Sequence, residues 1–196
     1  SETSDPVKEV MEKMRKNEEF DEDTDRVIPL AIADGLEAIK YLREHADEYK
    51  INPERIGIVG FSAGGTVTAG VAFRGQDESR PDFVAPIYPY IPDSMRDTPV
   101  PDNAPPMFVL AASDDQLGLA PHSLALYGKW LDARKPAELH MYAGGGHGFG
   151  MRTQSLPSDT WIDRFGDWLE TQGLFLYPNA STTPQQVVQR RKETEA

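Results

Sequence analysis

A serine stands in a glycine-rich turn in the first third of this chain, at residues 60–65 (GFSAGG). The apolar run at residues 55–59 predicts a buried strand before the turn, and the small residues after the turn predict a helix. A strand, a Gly-x-Ser-x-Gly turn and a helix form a nucleophile elbow, in which a strained backbone exposes the serine hydroxyl. We therefore predict that Ser62 is a nucleophile, and that Gly60 and Gly64 leave room where a Cβ would clash.

A serine hydroxyl is a weak nucleophile at neutral pH, so it needs a histidine base and an acid that orients the base. His147 lies in a glycine run that follows one predicted strand, and Asp115 follows another. Because the C-terminal ends of parallel strands meet at one edge of a sheet, these side chains should lie near Ser62. We predict the catalytic triad Ser62, Asp115 and His147. Asp114 is the alternative acid, and its other predicted role is to cap the turn.

The glycine-rich turn has two other interpretations, a plain strand-to-helix turn and a phosphate-binding loop. No lysine follows it as in a P-loop, and the spacing Gly-x-Gly-x-x-Gly is absent, which weakens the phosphate interpretation. The other histidines, His45, His122 and His140, have no visible set of partners for a metal ion. We therefore predict neither a metal site nor a cofactor.

Charge and composition exclude several classes of partner. The formal net charge of −12 argues against nucleic acid or an anionic membrane as a partner, and it suits a neutral substrate. No apolar run approaches the roughly 20 residues that a membrane helix needs. The absence of cysteine excludes disulfides, thiol catalysis and thiolate metal sites, and it does not distinguish one compartment from another.

Strand and helix patterns alternate along the chain, which predicts an α/β fold with a largely parallel sheet. We predict an N-terminal helix and an acidic loop at residues 1–27, a catalytic core at residues 28–177 and a polar tail at residues 178–196. A long helix at residues 29–49 should face inward through six residues: Leu30, Ala33, Leu36, Ile39, Tyr41 and Leu42. The other predicted elements are strands at residues 83–88, 107–112 and 137–142, and helices at residues 121–133 and around Trp161, Phe165 and Trp168.

Four segments carry a family resemblance: residues 52–57 leading into the turn, residues 80–83 before Tyr88-Pro89, residues 112–115 and residues 145–150. They resemble α/β-hydrolases of the bacterial carbohydrate-esterase type, related to acetylxylan and feruloyl esterases and similar to the hormone-sensitive-lipase branch. The resemblance covers residues 28–177, the C-terminal two-thirds of such a protein. It implies a mostly parallel sheet with helices on both faces.

The same resemblance bears on the triad acid and on the site that would hold the oxyanion. The family's acid directly precedes a Pro-Leu or Pro-Val pair, a position that Asp115 holds here with Gln116 in place of the proline. One oxyanion donor would be the N–H of Ala63, and the family takes the other from a His-Gly-Gly loop. No His-Gly-Gly precedes Ser62, and the family's earlier strands are also missing. We therefore expect an elbow strand without a neighbour on one side, completed by a further N-terminal segment or a companion chain.

The leading hypothesis is a serine carboxylesterase that removes acetyl or short acyl groups from carbohydrates. The substrate would be a small-molecule or carbohydrate ester. If the substrate is a carbohydrate ester, a secreted or periplasmic location of the protein is favoured. The proline-rich residues 89–106 should form an irregular loop, in which Tyr90 and Ile91 either line the substrate pocket or cover the core. Two other functions stay open: an α/β-hydrolase peptidase of the prolyl-oligopeptidase type, and a non-catalytic, incomplete hydrolase that serves as a binding or assembly unit.

Overall fold

The computed structural model describes residues 22–175, in which helices and strands alternate. The predicted N-terminal helix and the predicted polar tail at residues 178–196 lie outside the described residues. The elements are α1 (Glu22–Glu44), α2 (Ala46–Tyr49), β1 (Gly57–Phe61), α3 (Ala63–Arg74), β2 (Phe83–Ile87), α4 (Asp93–Arg96), β3 (Met107–Ala112), α5 (Ala120–Asp132), β4 (Ala137–Tyr142) and α6 (Trp161–Thr171).

The strands form one parallel sheet in the order β1-β2-β3-β4. β3 and β4 occupy the predicted residues and pair in register, from Met107 opposite Ala137 to Ala112 opposite Tyr142. β1 lies two residues later than predicted, because its pairing with β2 continues as far as Phe61, directly before the nucleophile. All the C-terminal ends therefore lie at one edge, as the triad prediction requires.

Helix α1 differs from the predicted helix at its start and at its end. It begins at Glu22, so Pro29 lies inside it and the end of the predicted acidic loop is helical. Pro29 was expected in the first turn, where proline is tolerated because that N–H needs no intrahelical acceptor. The helix ends at Glu44, and residues Ala46–Tyr49 form the separate helix α2.

The inward face of α1 is also partly wrong in the prediction. Leu30 and Tyr41 are 65% and 45% exposed, and Ala33 is exposed as well. Ile32 is buried instead, and it lies seven positions before Ile39, which is buried as predicted. The predicted residues Leu36 and Leu42 do lie on this buried face.

One hydrophobic cluster joins the helices α1, α3 and α5 to the sheet. It includes Ile32 from α1, Val71 from α3, Trp130 from α5 and Val109 from β3. Trp130 is fully buried, and its indole N–H donates to the carbonyl oxygen of Pro105 at 2.9 Å, so its polar atom is satisfied. All of β3 is buried, as expected for a parallel strand that is covered on both faces.

Arg43, near the end of α1, fastens the loops that lead into β1 and β2. Its guanidinium donates to the carbonyl oxygens of Pro53 and Arg80, each at 2.9 Å, and to Asp82 Oδ2 at 2.9 Å. The same carboxylate oxygen accepts the N–H of Ile56 at 2.8 Å. The two side chains are 12% and 13% exposed, so this ion pair is shielded from solvent and fixes where both strands begin.

Strand β1 is an edge of the sheet within the described part of the chain, where it pairs with β2 alone. Its apolar residues Val59 and Phe61 are 40% and 41% exposed. Among residues 22–175, no second strand pairs with β1. An exposed apolar edge is a template for pairing with another strand.

Residues 151–175 belong to a second compact unit. A 3₁₀ turn at Pro157–Thr160 leads into α6. Its aromatic residues Trp161, Phe165 and Trp168 are buried, as predicted from their spacing. Within residues 22–175, no helix combines the length and the apolar character that a membrane span requires.

Candidate active site

The nucleophile elbow places Ser62 between the last residue of β1 and the first residue of α3. Its backbone has φ 54° and ψ −117°, a conformation that residues other than glycine rarely adopt. The Ser62 N–H donates to the carbonyl oxygen of Ile87 at 3.0 Å, and the Thr66 N–H donates to the Ser62 carbonyl oxygen at 3.1 Å. The end of β2 and the first turn of α3 therefore hold the strained residue from both sides.

Two glycines make room for the elbow, and only one of them was predicted. A Cβ on Gly60 would lie 2.1 Å from the carbonyl oxygen of Gly64, and a Cβ on Gly65 would lie 3.0 Å from that of Ile87. A Cβ on Gly64 would meet nothing within 4 Å, so the prediction for Gly64 is wrong. The crowding at Gly65 comes from β2, which the spacing within the turn does not reveal.

Replacing Gly60 with alanine should destabilise the fold, because the new Cβ would overlap a backbone oxygen in the first turn of α3. We expect a loss of about 3 kcal/mol or more in the free energy of unfolding. The matched variant Gly64→Ala meets open space in the same helical turn and should be neutral, or more stable by up to about 1 kcal/mol. Urea denaturation measures both variants, and equal stabilities would contradict the crowding at Gly60.

Three side chains from separate loops form one hydrogen-bonded chain at the sheet edge. Ser62 Oγ lies 2.7 Å from His147 Nε2, and His147 Nδ1 lies 2.9 Å from Asp115 Oδ2. Because a carboxylate can only accept, Nδ1 carries the imidazole proton and Nε2 can accept the proton of Ser62. The side chains of His147 and Asp115 are 1% and 0% exposed, so little water competes for these bonds. The other carboxylate oxygen of Asp115 accepts the N–H of Leu117 at 2.8 Å.

Asp114, the alternative acid, contacts backbone and not the imidazole. Its Oδ1 accepts the N–H of Gly146 at 2.7 Å, and its Oδ2 accepts the N–H of Gly145 at 3.2 Å. The bond from Gly146 is the main cause that holds the pKa of Asp114 below its usual range; desolvation opposes it, and the bond from Gly145 adds to it. The geometry thus favours Asp115 over Asp114 as the triad acid.

The sequence patterns predicted no role for Tyr88, which lies directly after β2. Its ring packs edge-on against His147 and Phe149, with ring centroids 5.0 Å apart in each pair. It is 3% exposed and has a φ of 39°. The available signal was its position, since a residue directly after β2 lies at the same sheet edge as Ser62. Tyr88 therefore packs against the imidazole and restricts where the ring can lie.

Ala63 lies where the resemblance puts one donor of the oxyanion hole. It is the first residue of α3, so its N–H has no acceptor one turn earlier in the helix. The N-terminal end of a helix also carries partial positive charge, which favours an anion at this point. Ala63 therefore stays the predicted donor of one hydrogen bond to the oxyanion.

The loop after β2 carries the two residues predicted to contact substrate. The Tyr90 carbonyl oxygen accepts the Thr66 hydroxyl at 2.7 Å, and the Tyr90 ring lies 5.2 Å from that of His122. Ile91 is 1% exposed and belongs to the hydrophobic cluster, so its side chain covers the core, and Tyr90 is the stronger candidate. The Ile91 N–H donates to His122 Nδ1 at 3.0 Å, and burial, followed by nearby Arg96, lowers the pKa of His122.

This arrangement has a definite chemical capacity. A hydroxyl that can pass its proton to an imidazole, beside a carboxylate that stabilises the imidazolium, can attack the carbonyl carbon of an acyl group. Within the described residues, no cluster of histidine and acidic side chains is placed to hold a metal ion. The chemistry of the triad itself requires none.

Known proteins share this fold. A family model described as the alpha/beta hydrolase fold matches residues 25–104. An acetylxylan esterase from Xylanibacter ruminicola is 27% identical in an alignment that covers 75% of this chain and 36% of that protein. The chain thus spans little more than a third of the length of this relative.

Two solved structures are similar as well. An acetyl ester-xyloside bifunctional hydrolase from Caldicellulosiruptor lactoaceticus has a TM-score of 0.66 and 25% identity, covering 74% of this chain and 66% of that one. An α/β-hydrolase enzyme from a Medee basin deep-sea metagenome library has a TM-score of 0.63 and 27% identity, covering 74% and 65%. The fold and the elbow make this chain a protein of the α/β-hydrolase fold, of which it contains a part. Within that fold it resembles the acetylxylan esterase.

Proposed function

We propose that this chain is the catalytic part of a serine carboxylesterase that hydrolyses acetyl or other short acyl esters. The observation that carries the proposal is the hydrogen-bonded chain from Ser62 Oγ through His147 to Asp115 at the C-terminal edge of a parallel sheet, in which the side chains of His147 and Asp115 are buried. The names of the similar proteins, an acetylxylan esterase and an acetyl ester-xyloside hydrolase, support an ester as the substrate class.

The reaction would proceed in two half-reactions. Ser62 Oγ attacks the ester carbonyl carbon while His147 Nε2 takes its proton, and His147 then gives that proton to the departing alcohol. Asp115 holds the imidazole in position and stabilises its cationic form. Water, deprotonated by His147, then cleaves the acyl-enzyme, releases the carboxylic acid and returns Ser62 to its starting state. The N–H of Ala63 stabilises the oxyanion in both steps.

A carbohydrate alcohol is the favoured leaving group. The names of two similar proteins include xylan or xyloside, and the net charge of −12 suits a neutral sugar ester better than an anionic substrate. Half-buried Tyr90, on the loop after β2, carries an aromatic ring of the kind that packs against a sugar face. Acetylated xylo-oligosaccharides are therefore the first natural substrates to assay.

We further propose that a segment not present in this chain pairs with β1 and supplies a second oxyanion donor. The exposed apolar residues Val59 and Phe61 and the position of β1 at the edge of the described sheet support this proposal. An oxyanion donor is typically worth on the order of 10²–10³ in rate, so this chain alone should be slow. Intact mass of the natural protein would show whether such a segment, or a second polypeptide, accompanies these residues.

Hydrolysis of p-nitrophenyl acetate, together with labelling of the protein by a fluorophosphonate, tests the proposed function. We expect turnover that declines with longer acyl chains and a single covalent adduct on Ser62, located by peptide mass spectrometry. A peptidase would instead prefer peptide anilides to acyl esters. An adduct on Ser62 without turnover would indicate an incomplete hydrolase, and the absence of both would refute the esterase.

A further inference from the structure

We propose that Asp114 and Gln116 are positioning residues that hold the backbone beside His147 and thereby set the imidazole between Ser62 and Asp115. The pair, named here the loop clamp, consists of the two residues that flank Asp115 in the chain. Its role in catalysis rests on the proposed function, since it acts through the imidazole of the triad.

The loop clamp satisfies three consecutive N–H groups. Asp114 accepts from Gly146 at 2.7 Å and from Gly145 at 3.2 Å. Gln116 Oε1 accepts from His147 itself at 2.8 Å. The turn at residues 114–116 therefore binds both the backbone and the side chain of His147. Gln116 accepts from the backbone N–H, and Asp115 accepts from the imidazole ring.

The histidine loop needs such a hold because its own backbone is permissive. Gly146 and Gly148, which flank His147, have φ values of 68° and 74°, in the left-handed region that glycine enters without penalty. Glycine also has the largest choice of other conformations, so local preference does not select the observed one. The hydrogen bonds from the loop clamp favour the observed conformation.

The turn that carries the loop clamp is in turn anchored to the sheet. The N–H of Ser113 donates to the carbonyl oxygen of Tyr142 at 2.7 Å, which continues the pairing of β3 with β4. Asp115 closes the turn: its N–H donates to the carbonyl oxygen of Ala112 at 3.2 Å, and its carbonyl oxygen accepts the N–H of Gly118 at 2.9 Å. The acceptors are thus presented from a turn that is hydrogen-bonded to the sheet.

The charge on Asp114 persists over the pH range in which an esterase is assayed. Its pKa is lowered from the ordinary value of 3.8, chiefly by the bond from Gly146. A group whose pKa is depressed on folding stabilises the fold above its unfolded-state pKa and loses that contribution as pH falls through the folded value. The stability difference between the wild type and Asp114→Ala should therefore be constant near neutrality and shrink below about pH 4.

The central experiment compares the double variant Asp114→Ala, Gln116→Leu with the wild-type 196-residue chain. Loss of the clamp should lower kcat for p-nitrophenyl acetate by on the order of 10²-fold, the cost of a displacement of about 1 Å, with KM changed less than about threefold. The single variant Gln116→Glu keeps the acceptor and should keep kcat within about threefold of the wild type. Asp47→Ala, at an exposed aspartate in α2, is the matched control without effect.

A spectroscopic measurement separates failure of the loop clamp from failure of the esterase. The proton between His147 Nδ1 and Asp115 should give a downfield NMR signal in the wild type that broadens or disappears in the double variant, whether or not the chain hydrolyses esters. An unchanged signal and an unchanged kcat would overturn the proposal, and so would a change confined to KM. If the double variant does not fold, Gln116→Leu alone, at an exposed side chain, answers the same question.

Discussion

Ester hydrolysis should fall between about 10⁴- and 10⁶-fold when Ser62 is replaced by alanine. The serine hydroxyl is the group that would form the acyl-enzyme, and His147 Nε2, 2.7 Å away, would have no proton to take from alanine. Any residual rate would come from substrate binding and from the proposed oxyanion donor, the N–H of Ala63, which the substitution leaves in place. Initial rates with p-nitrophenyl acetate and the mass of the fluorophosphonate adduct measure the two consequences separately.

The matched control is Ser94→Ala, an identical change at an exposed serine in α4. It should retain both turnover and labelling. Labelling that persists in Ser62→Ala would mean that another residue is the nucleophile, and the triad assignment would be abandoned. Alanine and serine are similarly strained at a φ of 54°, so the substitution should leave the stability of the fold close to that of the wild type. Thermal unfolding can verify this.

Replacing Asp115 with asparagine should lower kcat by about 10⁴-fold. The amide has no charge to stabilise the imidazolium, and its NH₂ group can turn toward His147 Nδ1, which favours the tautomer with its proton on Nε2. That tautomer cannot accept the proton of Ser62. The effect should be large because Asp115 is completely buried at the ring, 2.9 Å from Nδ1, so no water can take its place.

The neighbouring substitution Asp114→Asn is the informative comparison. The introduced amide would keep one acceptor oxygen for the Gly146 N–H, so kcat should fall by no more than about tenfold. Steady-state kinetics of the two variants at equal concentration decide which aspartate serves the imidazole. Equal losses, or a larger loss for Asp114→Asn, would reverse the assignment of the triad acid.

The parts of the site that the sequence predicted are those with strong local signals. β3 and β4 have continuous or alternating apolar runs, and their bounds are as predicted. Ser62, Asp115 and His147 stand at the ends of strands, where residue type and placement together indicate chemistry. Their hydrogen-bonded geometry follows because parallel strands bring their C-terminal ends to one edge.

The features that escaped prediction depend on contacts distant in the chain. Tyr88 acquires a role because β2 lies between β1 and β3, which brings its ring against His147. Gly65 is crowded by Ile87 and Pro89, neither of which belongs to the elbow. The inward face of α1 was partly misplaced because the sequence pattern does not show which side of the helix packs against α3.

The active site can form only when β3 and β4 pair in the correct register, so its activity reports on correct folding. A slip of one residue would move His147 by about 3.3 Å relative to Asp115, more than the 2.9 Å that separates their bonded atoms. A chain could therefore collapse, regain its helices and bury its apolar residues while the imidazole had no acid beside it. During refolding, the rate at which fluorophosphonate reactivity returns would measure how fast these two strands reach the correct register. We expect this reactivity to return later than the helical circular dichroism signal.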